Sequence, residues 1–273
     1  EELSKDKKCQ TIKRYLNTHK TSLERKVKAP QNYEAFDSLN GTIKLINYES
    51  EGRSLKGLLE SKNIESEVKK KAVIYLHGGF ALGYQDIYDC KKFTDNGFIV
   101  MAPSFRAENG NEGFYEFLFG EVKDAESAVK WLSKQEYVDS DSIYVFGHST
   151  GGALSLSLSL RDDLHVQFGG SCAGVYDIGI IEEFFNEDKN QIPFDYKNEL
   201  EASLRLPVYS LECMERKHFM YIGTDDYFQE YKEFIESIYP ENETLLELNK
   251  VAGDHFTSLE GSIEQFIRQI TVK

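Results

Sequence analysis

Short apolar runs alternate with helix-spaced stripes along most of the chain. Residues 72–76 (AVIYL), 98–102 (FIVMA), 143–146 (IYVF), 219–222 (FMYI) and 245–248 are of strand length, and 169–176 reads as another strand. Between them, 88–95 reads as helix. Val122, Ala125, Val129 and Leu132 recur at three- and four-residue spacing, as do Tyr231, Phe234, Ile235 and Ile238, and then Ile263, Phe266, Ile267 and Ile270. That spacing puts each set on one helix face. Strands that are apolar without alternation must be covered on both sides. The order therefore predicts an α/β fold with a mostly parallel central sheet and helices on both faces.

The ends depart from this rhythm. Ile12, Tyr15, Leu16 and Leu23 give a patchy helical stripe among basic residues, so 1–40 reads as an N-terminal helical extension to a main domain over 41–273. Residues 42–61 read as two strands joined at Glu51-Gly52, and Pro103 ends the FIVMA strand. Residues 177–215 are polar and weakly periodic. They read as a partly helical, cap-like insertion after the sixth strand, over the strand ends.

One stretch is ambiguous. In VFGHSTGGALSLSLSL (145–160) the second half alternates without a slip, as a half-buried strand would. The strand 143–146 has just ended, however, and the fold now requires a helix. A helix inside a covered sheet can be apolar on several sides, with its serines bonded to carbonyls one turn back. The expectation is helix.

Composition narrows the class. The 273 residues suit one large α/β domain, with 40% hydrophobic and 13% aromatic residues to fill a core. A formal net charge of −14 disfavours nucleic acid as a partner. No apolar run approaches the roughly 18 residues of a membrane span. Cys9, Cys90, Cys172 and Cys213 show no metal-ligand spacing, and their spacing gives no support for disulfides; Cys172 reads as a small buried hydrophobe. The chain starts at Glu1, which suggests trimming and leaves both a removed signal peptide and the compartment open, as is the oligomeric state.

The chemistry sits where the elements change. Gly147-His148-Ser149-Thr150-Gly151 fits G-x-S-x-G between a strand and a helix, the setting of a nucleophile elbow. His77-Gly78-Gly79-Phe80 follows AVIYL and fits an oxyanion loop, with donors expected from Gly79 or Phe80 and from Thr150. His77 itself reads as a loop-fixing residue. Of the six histidines only His255, in Gly253-Asp254-His255-Phe256, follows a late strand, and it reads as the base. His148 is expected to point away from the serine. The acid follows FMYI in Gly223-Thr224-Asp225-Asp226: Asp226 is the first choice, Asp225 and Asp177 its rivals. The loop 106–117 (RAENGNEGFYEF) is expected to line the substrate pocket, with Tyr115 and Phe117 toward the site and Glu108, Glu112 or Glu116 at its entrance.

These motifs carry a resemblance. HGGF, SFRAENGNEGFYEFLFGEVKDAESAVKWL, VDSDSIYVFGHSTGG and VAGDHF are similar to the catalytic domain of the prolyl oligopeptidase group of α/β-hydrolases and its stand-alone esterase relatives. The resemblance covers about residue 40 to the end and implies a serine hydrolase without a cofactor. Ser149 matches the nucleophile and His255 the base. The group's G-x-x-D points to Asp226, although the valine often found three residues later is Gln229 here. The large peptidases of the group carry a β-propeller, for which about 40 preceding residues are too few, so their peptide specificity does not carry over. The expected substrates are small or medium carboxylic esters. A peptidase on short peptides and a catalytically inactive binding module are the alternatives.

Overall fold

A computed structural model describes residues 5–31, 36, 39, 41–62, 68–177, 179, 192–227, 235, 237 and 245–271. Among these, eight strands form one sheet in the order β1-β2-β4-β3-β5-β6-β7-β8. β1 (Ile43–Ser50) and β2 (Arg53–Glu60) form an antiparallel hairpin. Its turn uses Glu51 and Gly52 at φ 47° and 76°. β2 also runs antiparallel to β4 (Ile99–Pro103). Every later pairing is parallel, through β3 (Lys70–Leu76), β5 (Val138–His148), β6 (Gly169–Cys172), β7 (His218–Gly223) and β8 (Leu246–Val251).

Two core clusters explain the unbroken apolar runs. Ala72, Ile74 and Leu76 of β3 pack with Val122, Ala125 and Val129 of α4 (Gly120–Leu132) and with Ala153, Leu154 and Leu158 of α5 (Thr150–Leu158). The alternate residues Val73 and Tyr75 pack on the opposite face with Phe93 of α3 (Lys91–Asp95) and Ile263, Phe266, Ile267 and Ile270 of α7 (Ser258–Thr271). A short α2 (Tyr84–Asp89) precedes α3.

The ambiguous stretch is α5. Every residue of it is buried, so one-sided amphipathicity is absent. Ser155 Oγ satisfies itself on Gly170 O at 2.7 Å. The alternation thus reflects a helix enclosed by β5, β6 and α4, with serines serving as internal hydrogen bonders.

Several boundaries move. β5 extends on both sides of IYVF. β6 stops at Cys172 because Ala173 turns to φ 52°, so the expected strand over 169–176 is half as long. Residues 177–215 supply α6 (Glu199–Ser203) and a 3₁₀ segment (Pro207–Cys213). Residues 178 and 180–191, and most of the helix expected around Tyr231, lie outside the described residues. α1 (Lys5–Thr18) ends before Leu23, which instead makes an isolated bridge with Phe194.

The cysteine reading needs correcting. Cys9 and Cys213 form a disulfide, 204 residues apart in sequence. It joins α1 to the 3₁₀ segment, a juxtaposition that spacing along the chain cannot reveal. Cys90 and Cys172 are free and buried, as a small hydrophobe would be.

Candidate active site

The elbow is built by close backbone approach. A Cβ on Gly147 would lie 1.9 Å from Gly151 O, and one on Gly151 would lie 2.0 Å from Leu76 O. Both positions therefore require glycine. Between them Ser149 is held at φ 53°, ψ −118°, a conformation that L-residues rarely adopt and that surrounding structure must enforce. Ser149 N donates to Cys172 O at 2.9 Å, and Ser149 O accepts from Gly152 N at 2.9 Å and Val175 N at 3.2 Å. The strain thus rests on β6 and α5.

Two loops bring the histidine and the carboxylate. Asp226 follows β7 and His255 follows β8, and both are 3% exposed. His255 Nδ1 lies 3.3 Å from Asp226 Oδ2. Asp225 is exposed. Asp177 accepts hydrogen bonds from Gly179 N at 2.8 Å and the Tyr209 hydroxyl at 3.0 Å. Of the three carboxylates considered, Asp226 is the one beside His255.

Three aromatic neighbours of His255 escaped sequence reading. Tyr227 stacks on it at 4.8 Å, Phe256 meets it edge-on at 5.0 Å, and the His148 ring lies 5.0 Å away. His148 Nε2 bonds to His255 O at 2.8 Å. Burial, with the nearby His255, lowers the His148 pKa to about 4. A neutral His148 with a proton on Nε2 donates to that carbonyl and braces the backbone of the His255 loop. Its imidazole is spent on structure, but it does not point away from the serine as expected: it lines the same cleft as Ser149.

The glycine loop after β3 faces the elbow. Gly79 has φ 67°, and its carbonyl accepts from Thr150 Oγ1 at 2.6 Å. His77 turns away. It bonds through Nε2 to Glu108 Oε2 at 3.1 Å and stacks on Phe105. Burial alone would lower its pKa; the Glu108 carboxylate more than offsets that and raises it to about 9. His77 is thus a charged anchor for the loop, not a base.

A cleft of about 1030 Å³ is lined by Gly78, Gly79, Tyr84, His148, Ser149, Tyr227, His255 and Phe256, with Gln31 at its side. The 106–117 loop lies elsewhere, which corrects the expectation for its side chains. Tyr115 and Phe117 are 3% and 1% exposed and do not line this cleft; they pack behind Phe80, at 5.5 and 6.3 Å between ring centroids. Glu108 is buried on His77, and Glu116 pairs with Arg106 Nη1 at 2.8 Å. Arg106 also grips Asp124 with two bonds of 2.9 and 2.8 Å. Aromatic area and paired charge draw this loop into the core, where it supports the Gly78–Gly79 loop from behind.

Sheet order, and an elbow at the end of the fifth strand, define the α/β-hydrolase fold. More than half of the chain, residues 86–238, matches the model of the prolyl oligopeptidase family, and the chain belongs to that family. A curated relative, the uncharacterized peptidase YtmA of Bacillus subtilis, is 30% identical over 137 residues, covering 50% of this chain and 50% of its own. The inactive dipeptidyl peptidase 10 of Mus musculus is 28% identical over 43% of this chain, the match taking in 15% of its length. The chain therefore spans half or less of these relatives. Among solved structures, a putative dipeptidyl aminopeptidase IV from Bacteroides ovatus matches with TM-score 0.69 and 19% identity, over 84% of this chain and 35% of its own. The esterase Pf2001 of Pyrococcus furiosus matches with TM-score 0.63 and 18% identity, over 90% and 96% respectively. At such identities the structures speak for the fold. No described helix is long and apolar enough to cross a membrane.

Proposed function

We propose that the protein is a serine hydrolase that cleaves carboxylic ester bonds through an acyl-enzyme, with Ser149 as nucleophile, His255 as base and Asp226 as the acid. The observation that carries this reading is the meeting of a strained Ser149, the buried His255–Asp226 pair and the Gly78–Gly79 loop at one cleft. Ser149 Oγ attacks the ester carbonyl carbon while His255 takes its proton. The carbonyl oxygen becomes an oxyanion, stabilised by backbone N–H groups of Gly79 or Phe80 and of Thr150. As the intermediate collapses, the carbon–oxygen bond to the alcohol breaks and His255 returns the proton to the leaving alkoxide. Water, deprotonated by His255, then attacks the acyl-enzyme. A second tetrahedral intermediate collapses to release the acid, and the proton goes back to Ser149. Asp226 holds His255 in the required tautomer and balances the imidazolium charge. No cofactor takes part in this scheme.

The likeness to the Pyrococcus furiosus esterase supports an ester substrate. A peptidase acting on short peptides is the second reading, supported by the family match and by the Bacillus subtilis relative described as a peptidase. The same residues would serve it, with an amine as leaving group. Comparing kcat/KM on p-nitrophenyl esters and on aminoacyl-naphthylamides separates the two. A higher value on the amides would replace the ester reading. Failure of any substrate to turn over, together with no fluorophosphonate labelling, would leave an inactive binding module.

A further inference from the structure

The N-terminal arm does not end at α1. It crosses the insertion, where Glu24 N donates to Pro193 O at 2.8 Å. It then runs beside the loop after β4, where Val27 O accepts from Tyr115 N at 2.9 Å and Ala29 N donates to Ala107 O at 3.3 Å. Lys28 Nζ pins it to Asn111 O at 2.9 Å and Gly113 O at 3.1 Å. Past these contacts, Gln31 lines the cleft that holds Ser149 and His255. Gln31 Oε1 accepts from Phe80 N at 2.8 Å. It sits so close to Gly79 that a Cβ there would come within 2.5 Å of it.

A carboxamide oxygen accepting a bond from an oxyanion-loop N–H has the chemistry of a substrate acyl oxygen. It is sp², carries partial negative charge and needs the same donor. We propose that Gln31 is an intramolecular substrate mimic that occupies the oxyanion loop through Phe80 N–H, so that acylation requires its displacement. The inference rests on the hydrolase reading above and on the Phe80 N–H being one of the donors. Gln31 is itself exposed, so its side chain can swing into water while the arm stays anchored at Val27 and Ala29. Every substrate then exchanges one acceptor for another, which lowers apparent affinity by the worth of about one hydrogen bond. Because the arm is fixed to the insertion, anything that draws it off the domain would raise activity without touching Ser149.

The test compares wild type, Gln31→Ala and Gln31→Glu by two readouts. The first is amide exchange at Phe80, resolved by fragmentation mass spectrometry. The second is the second-order rate of labelling by a fluorophosphonate, whose phosphoryl oxygen must enter the same loop. Gln31→Ala is expected to speed exchange at Phe80 and to speed labelling about fivefold, the fold-change of one neutral hydrogen bond. Gln31→Glu, a charged and stronger acceptor, is expected to slow labelling below wild type. Unchanged Phe80 exchange in Gln31→Ala overturns the contact. Faster exchange with unchanged or slower labelling overturns the mimicry and makes Gln31 a support for the loop. Faster exchange with no labelling of any of the three proteins removes the hydrolase reading, and this inference with it.

Discussion

The elbow and the N-terminal arm are held in place by opposite means. Around Ser149 the contacts are backbone to backbone and almost free of slack: Gly147, Gly151 and the carbonyl of Leu76 meet within distances that exclude any Cβ. The outer part of the arm, up to Thr21, is held by side chains, and backbone bonds take over from Glu24. Lys8 pairs with Glu212, and Lys13 with Glu215 and Asp162. His19 and Thr21 bond to Glu201 at 2.6 and 2.7 Å, and Arg205 bonds to the same carboxylate at 2.6 Å. The Cys9–Cys213 disulfide closes the set. Each of these side-chain contacts can be removed singly, whereas the elbow stands or falls as a unit. That division is the one the proposed function and the proposed displacement of Gln31 require.

The comparison is broken most severely at the elbow. Ser149→Ala should fold normally and lose ester turnover by a factor on the order of 10⁶, the scale seen when a triad nucleophile is removed. His255→Ala should do comparable damage. Asp226→Asn should cost on the order of 10⁴ in kcat with little change in thermal stability. Asp225→Asn and Asp177→Asn, which leave the buried pair with His255 intact, should stay within a few-fold of wild type. Equal losses in all three Asn variants would remove Asp226 from its assigned role.

An intermediate effect is expected behind the oxyanion loop, where stability should depend on pH. Burial raises the Glu121 pKa from 4.5 to about 8. A carboxyl with a raised pKa holds its proton better folded than unfolded, so its contribution is fully present below 4.5 and is lost as pH rises through 8. His77, raised from 6.5 to about 9, loses its contribution over the upper part of the same range. Above pH 6.5, where the lowered pKa of buried His148 no longer opposes them, thermal melts should therefore show Tm falling up to pH 9. Glu121→Gln, which cannot ionise, should flatten the part of that fall below pH 8. An unchanged slope in Glu121→Gln would show that Glu121 does not stay protonated in the fold.

The smallest effect on catalysis is expected from the arm's outer anchor. Reducing the disulfide, or the pair Cys9→Ser with Cys213→Ser, should expose α1 to limited proteolysis. kcat/KM should change by less than about twofold, because Val27, Lys28 and Ala29 still hold the segment before Gln31. A loss of activity comparable to Asp226→Asn would place the arm within the catalytic structure and dissolve the comparison.

What was legible in the sequence follows the same division. Gly147, Ser149 and Gly151 could be read because local backbone geometry admits no other spacing, and β3 because both its faces are buried. The alternating serines of α5 pointed toward a strand, and only the order of the surrounding elements corrected that. The arm was opaque. Its disulfide and ion pairs join residues far apart along the chain, and a glutamine such as Gln31 carries no pattern. Tyr115 and Phe117 were misplaced because an aromatic in a strand-end loop can face a cleft or the core. Nothing local told that Arg106, paired with Asp124, would draw the loop inward. Asp226 could be ranked above Asp225 by its motif, but the difference in burial between these neighbours emerged only in three dimensions.

The most direct test of the central claim is to trap the acyl-enzyme. Mixing the protein with p-nitrophenyl acetate, quenching in acid and mapping peptides by mass spectrometry should find one acetyl group per chain, on Ser149. It should be absent from Ser149→Ala and form far more slowly in His255→Ala. Ester turnover with no adduct on Ser149, or an adduct that persists in Ser149→Ala, would contradict the account.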